Sequence, residues 1–139
     1  MSKFIETEEK ISKSELNEFI NEYKLNLPKD YCEHILKHNG GAPVAEFFNS
    51  LQISYFYAIK YGEEDETLES TIDMIQDVLP KNYFPFAYDG GGNQFCISLN
   101  DNNFGKIYYC PMDMGDIEPE FLINSFTEFL DNLSEDDDY

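Results

Sequence analysis

Residues 83–110 read YFPFAYDGGGNQFCISLNDNNFGKIYYC, and this stretch decides the fold class. Three short runs, Tyr83 to Tyr88, Gln94 to Leu99 and Lys106 to Cys110, are rich in aromatic and branched side chains that suit a pleated, half-buried surface. Between them stand Asp89-Gly90-Gly91-Gly92-Asn93 and Asn100 to Gly105, which are turns by composition. A parallel neighbour would need a crossover of a dozen or more residues, and these links are too short. The stretch therefore reads as an antiparallel meander. Pro85 has no N–H for a ladder and marks an edge or an irregular start.

Upstream, Ser12 and Glu15 have the spacing of a capping box, and Leu16, Phe19, Ile20 and Tyr23 follow on one helical face. Pro28 suits the first turn of a second helix, with Tyr31, Ile35 and Leu36 as its core face. Asn39-Gly40-Gly41 stops that helix. Pro43 to Ser50 reads as extended or short strand. Leu51 to Ile59 begins with apolar–polar alternation and reads as one half-buried strand. A helical stretch starts at Glu63-Glu64-Asp65-Glu66, carries Leu68, Ile72, Ile75 and Leu79, and ends at Pro80. Downstream, Ser125 and Glu128 form a second capping box before Phe126, Phe129, Leu130 and Leu133. Helices, then strands, then a closing helix predict an α+β fold, with a single antiparallel sheet carrying helices packed on one face. The 139 residues are expected to form one domain, with an acidic tail from about residue 134.

Hydrophobic residues make up 42% of the chain, enough for a packed core, and 12 Phe and 10 Tyr supply large apolar areas. The net charge is −19, from 28 acids against 9 bases. The tail holds only four of those acids, so the body of the chain is itself acidic. Such a surface repels nucleic-acid phosphates and anionic lipid and attracts basic partners. Neither nucleic acid nor a membrane is expected as a partner. Cys32, Cys96 and Cys110 are odd in number, widely spaced and without a CxxC pair, which reads as reduced thiols. The first residues lack a signal-peptide core and no run reaches membrane-span length, so the expected location is cytoplasmic.

Each motif that could carry chemistry has a plainer structural reading. His34 and His38 are four apart on a helix and could face one metal, but a helix C-terminus also favours them, and HExxH is absent. Gly90-Gly91-Gly92 lacks phosphate-loop spacing and joins two strands, so it reads as a tight turn held by Asp89 and Asn93. Asp113, Asp116, Glu118 and Glu120 form an acidic loop without the pattern of a calcium site. No serine elbow or Cys–His spacing points to a nucleophile. Chance carboxylate pairs are expected among so many acids, and a hydrolase built on one is a third-ranked reading. The expectation is therefore no cofactor, no metal and no catalytic residue.

The residues singled out for partner binding are acids and tyrosines. Glu63, Glu64, Glu66, Glu69 and Asp73 fall in one stretch, and on a helix Glu66, Glu69 and Asp73 would share a face. Like charges so spaced are mildly destabilising, so the alternatives are a solvated helix face or an anionic patch that docks on lysine and arginine. Tyr55, Tyr57, Tyr61 and Tyr88 are the candidate aromatic anchors.

A collinear set of segments resembles the SUKH superfamily, which includes yeast Smi/Knr cell-wall regulators and many bacterial immunity proteins. The set is Leu27-Pro28-Lys29-Asp30-Tyr31, Asn39-Gly40-Gly41-Ala42-Pro43, Phe84-Pro85-Phe86-Ala87, Asp89 to Asn93, Gly105-Lys106-Ile107-Tyr108-Tyr109 and Ser125-Phe126-Thr127-Glu128-Phe129-Leu130. Two departures stand out. Many relatives carry Trp where this chain has Tyr108 and Tyr109, and Ala45 to Glu69 resembles the family only loosely. The resemblance implies an α+β fold and a non-enzymatic role: an immunity protein that neutralises a cognate toxin with a basic surface, the toxin in such pairs often being a nuclease. The alternative is a regulatory scaffold similar to the yeast branch. The sequence sets no oligomeric state.

Overall fold

The computed structural model describes residues 3–113 and 115–135. Its main element is a five-stranded antiparallel sheet of β5 (Tyr55–Phe56), β6 (Tyr83–Tyr88), β7 (Gln94–Ser98), β8 (Ile107–Cys110) and β9 (Glu120–Ile123), neighbours in space as in sequence. The meander expected over 83–110 is its centre. Two further antiparallel pairs accompany it: β1 (Phe4–Ile5) with β2 (Ala42–Pro43), bridged to β5 through Gly41 and Phe56, and β3 (Phe47–Phe48) with β4 (Leu51–Gln52). The architecture is thus α+β, but the single sheet expected from the sequence is replaced by three.

The strand expected over 51–59 is divided for a local reason. The Ile53 N–H turns back to the Glu46 carbonyl (2.7 Å), closing the β3–β4 hairpin, while the next N–H, of Ser54, reaches the Tyr88 carbonyl (2.9 Å). One residue therefore separates two pairing partners. Pro85 lies beside a register shift between β6 and β7. On the other side, β5 pairs only with Ala87 and Tyr88. Pro85 thus sits where β6 has no strand on its β5 side, the irregular position that a missing N–H favours.

Helix α1 (Lys13–Tyr23) has the complete capping box: Ser12 Oγ accepts from the Glu15 N–H (3.1 Å), and the Glu15 carboxylate accepts from the Ser12 N–H (2.8 Å). Helix α2 (Lys29–Lys37) follows Pro28 at the N-cap. It ends at His38 in extended backbone, so the helix stops one residue before Asn39 rather than on a left-handed glycine. Gly40 and Gly41, at φ 76° and 111°, instead turn the chain into β2. A Cβ on Gly40 would stand 2.8 Å from that of Ala58, so the turn also needs glycine for space. Helix α4 (Phe126–Asp131) is capped by Ser125 Oγ, which accepts from the Glu128 N–H (3.1 Å). Asp30 ties α2 to α4, its carboxylate accepting from both the N–H and the hydroxyl of Thr127 at 3.0 Å.

The core on one face of the sheet is largely aromatic. Phe86 meets Phe56, Phe126 and Phe129 at centroid distances of 5.3 to 5.4 Å, mostly edge to face. Such pairs add ~0.5–1.5 kcal/mol each beyond area burial. Strand alternation sends Cys96 and Cys110 to the opposite face, where they cluster with Leu79 and with Ile75 of α3 (Leu68–Ile75). Leu68 and Ile72 of the same helix pack on the main core. Helix α3 therefore straddles the sheet, and the helices are not confined to the one face expected. The expected acidic tail begins inside the fold, with Ser134 bridged to Phe47 through two backbone hydrogen bonds. The rest of it, residues 136–139, lies outside the described residues.

Candidate functional site

Among the described residues, one ion pair forms: Lys60 to Glu15, 2.8 Å. Several carboxylates are instead held by tyrosine hydroxyls. Tyr88 donates to Glu66 at 2.8 Å, Tyr55 to Glu8 at 3.2 Å and Tyr109 to Asp89 at 2.6 Å, while Tyr61 adds a bond of 2.7 Å to the ion-paired Glu15. A phenol is a neutral donor, so it satisfies a carboxylate without cancelling its charge.

A buried side chain fixes the backbone that carries Glu8. Asn39, fully buried at the end of α2, donates to the carbonyls of Glu9 (2.8 Å) and Ile59 (2.9 Å) and accepts from the Ile59 N–H (2.8 Å). Its own carbonyl accepts from the Glu8 N–H (2.9 Å). These bonds clamp the acidic residues 8–9 against the start of the 59–66 loop, bringing Glu8 close to Gly62. Tyr55 and Tyr88 are directly opposite in the β5–β6 ladder, which sets their rings 6.1 Å apart. The Lys60 N–H donates to the Glu69 carboxylate (3.1 Å), joining the loop to the first turn of α3.

The acids expected to line one helix face are distributed differently. Helix α3 begins only after Thr67, whose hydroxyl accepts from the Ser70 N–H (3.2 Å), so Glu63, Glu64 and Glu66 precede it. Glu63 and Glu64 are exposed in the loop, Glu66 is half-buried against Tyr88, and Glu69 and Asp73 lie on the helix, Asp73 exposed. Tyr57, a candidate anchor, is a core residue, 5% exposed with its hydroxyl on Gln94 (2.8 Å). Its N–H continues the ladder to the Phe86 carbonyl, which carries the side chain inward. Tyr55, Tyr61 and Tyr88 remain partly exposed. Reading 63–73 alone missed Glu8, Glu9 and Glu15. The acidic run 6–9 was the available signal, but only the fold places it beside residue 59.

The local electrostatics follow from these contacts. Burial, then Glu8, raises the Tyr55 pKa; burial, then the hydrogen bond to Glu66, raises that of Tyr88. Burial, then Asp89, does the same to Tyr109. All three stay protonated donors at neutral pH. Hydrogen bonds from Lys60, from the Ser12 backbone and from Tyr61 hold Glu15 at about 2, so it remains ionised. The result is an anionic, tyrosine-studded surface built from residues 8–15, 55–69 and 88.

The other motifs take structural places. Asp89 accepts from the N–H groups of Gly91 and Asn93, both at 2.9 Å, so amides that could cradle a phosphate are turned to the Asp89 carboxylate. Of the acidic loop, Glu120 opens β9 and pairs opposite Tyr109. His34 and His38 have ring centroids 5.5 Å apart, with Phe4 against both. Burial pushes His34 down to about 3, leaving it neutral. Among the described residues no three His, Cys, Asp or Glu side chains are grouped to hold a metal ion. Cys32, Cys96 and Cys110 are free thiols. No helix among those residues is long and apolar enough to cross a membrane.

The chain is similar to the SPbeta prophage-derived uncharacterized protein YokK of Bacillus subtilis (strain 168), 27% identical over 145 positions that cover 84% of this chain and 73% of that protein. The family described as SMI1 / KNR4 family (SUKH-1) matches residues 10–132, nearly the whole of the fold just described, and the chain belongs to that family.

Proposed function

We propose that this chain is an immunity protein, which binds a cognate protein toxin through its acid–tyrosine surface and thereby neutralises it. The observation that carries the reading is the pairing of carboxylates with neutral phenols. An acidic surface kept only for solubility has no need of such donors; one that must stay charged while its side chains are held in place does. A cationic partner supplies the missing charge on contact. The exposed Glu63, Glu64, Asp65 and Asp73 steer its approach, and Tyr55, Tyr61 and Tyr88 give rigid contact area.

A toxin with a basic surface fits this face, and a nuclease, whose substrate is polyanionic, is one class that meets the requirement. The role is binding rather than catalysis, performed in the cytoplasm by the chain as one domain. The prophage origin of the similar Bacillus subtilis protein favours immunity over a regulatory scaffold like that of the yeast cell-wall proteins. Co-expression with the toxin gene adjacent to its own tests the reading. The chain should restore growth, and a variant with Glu63, Glu64, Asp65 and Asp73 all changed to Lys should fold yet fail to do so. Rescue untouched by the reversal would remove this face from the account, and the absence of any complex with the toxin would remove the role.

A further inference from the structure

A groove of about 390 Å³ lies between the α1–α2 loop, the C-terminal half of α3 with residues 79–82 beyond it, and the start of β6. Small-molecule sites typically span ~300–1,000 Å³. Leu25, Ile72, Ile75, Leu79, Phe84 and Leu99 give it apolar walls.

Its charge runs against that of the molecule. The chain has 28 acids and 9 bases, yet the described residues lining this groove include two lysines, Lys24 and Lys81, and no Asp or Glu. Both lysines are exposed, and neither joins the ion pair formed among the described residues. Lys24 also sits at an unfavourable backbone position. It is the C-cap of α1 at φ 55°, in the left-handed region where glycine is the residue of low conformational cost. A glycine there would cost the helix terminus less, and Asn82 of the same lining shares this backbone region at φ 65°.

We propose that the groove binds a small, free, apolar molecule bearing a carboxylate, its body against the Leu25–Ile72–Leu79 wall and its charge met by Lys24 and Lys81. Tyr23, Asn26, Asn82 and Tyr83 are further polar residues of the lining, although the Tyr83 hydroxyl already accepts from Asn103 (3.3 Å) and the Asn82 amide donates to Asn100 (3.1 Å). Glu22, Glu69 and Asp73 act on the Tyr23 hydroxyl from outside that lining, so selectivity for an anion rests on the two lysines. The overall negative charge opposes the ligand at a distance. At ~0.15 M salt that field is screened beyond ~8 Å, and contacts inside the groove decide.

Naphthalene-1-acetate is a suitable probe, compared with the neutral naphthalene-1-ethanol and the cationic naphthalene-1-methylamine. Binding is followed through backbone amide shifts in ¹⁵N NMR at about 0.15 M salt. The anion should move the amides of Leu25, Ile72, Leu79 and Tyr83 saturably, with at least ~10-fold tighter binding than the other two. Lys24→Gly should raise the melting temperature while weakening the anion, and Lys81→Gln, at an exposed position, should weaken it without changing the fold. Equal affinity for anion and cation, shifts centred away from these amides, or undiminished anion binding by the doubly substituted protein would overturn the proposal.

Discussion

At the scale of single residues, Asn39 and His34 are buried polar side chains whose roles can be tested separately. Asn39 satisfies three backbone groups in a site closed to water. Each lost hydrogen bond is worth ~1 kcal/mol, and the abandoned buried groups add to that. Asn39→Ala should therefore cost about 3 kcal/mol, read as a lower urea midpoint, and it should loosen residues 8–9 from the acidic surface. A cost below about 1 kcal/mol would mean that the clamp is dispensable. His34 sets an acid limit. Its folded pKa of about 3 lies below the unfolded value of 6.5, burial being the first cause and His38 and Lys37 the next. Below pH 6.5 the unfolded chain therefore binds the extra proton, and stability falls as pH falls through this window. The loss is on the order of 3 kcal/mol by pH 4. His34→Phe, which suits the ring contacts with Phe4, Phe56 and Phe126, should flatten that acid limb in melting curves taken from pH 7 to 4. An unchanged slope would assign the acid sensitivity to other groups.

Among the elements, α3 decides how the acids are presented. The Thr67 hydroxyl caps it, and the Leu68 N–H to Ala58 carbonyl bond (2.7 Å) fixes its start against the chain leaving β5. Thr67→Ala should cost about 1 kcal/mol and raise amide exchange in the first turn of α3, while leaving exchange in β6 and β7 unchanged. Uniform change across the sheet would show that the cap acts on global stability alone. This helix also marks where the sequence stops being a sufficient guide. Glu63 to Glu66 read as a helix start because acids suit an N-terminus, but the capping hydroxyl and the bond to Ala58 place that terminus at Thr67. The capping box of Ser12 and Glu15, the meander over 83–110 and the Ser125 cap were legible because each rests on residues close in sequence. Strands β1 to β4 are two residues long, too short for periodicity to register, and β9 is concealed by its exposed Glu120 and Phe121. The candidate surface was half legible for the same reason. Its 63–73 segment is a local acidic run, whereas Glu8 and Glu15 join it through contacts distant in sequence: Asn39 and Tyr55 for Glu8, Lys60 and Tyr61 for Glu15.

On the scale of the whole molecule, a net charge of −19 with one ion pair among the described residues sets up a long-range negative field, which in the proposed function steers a cationic partner. Such fields act on the rate of encounter more than on the lifetime of the complex, and salt weakens them. The direct test is stopped-flow association of the chain with the proposed toxin partner between about 0.05 and 0.5 M salt. The association rate should fall at least ~10-fold across this range, and less steeply when Glu63, Glu64, Asp65 and Asp73 are replaced by Gln or Asn. A rate indifferent to salt in both proteins would contradict the steering.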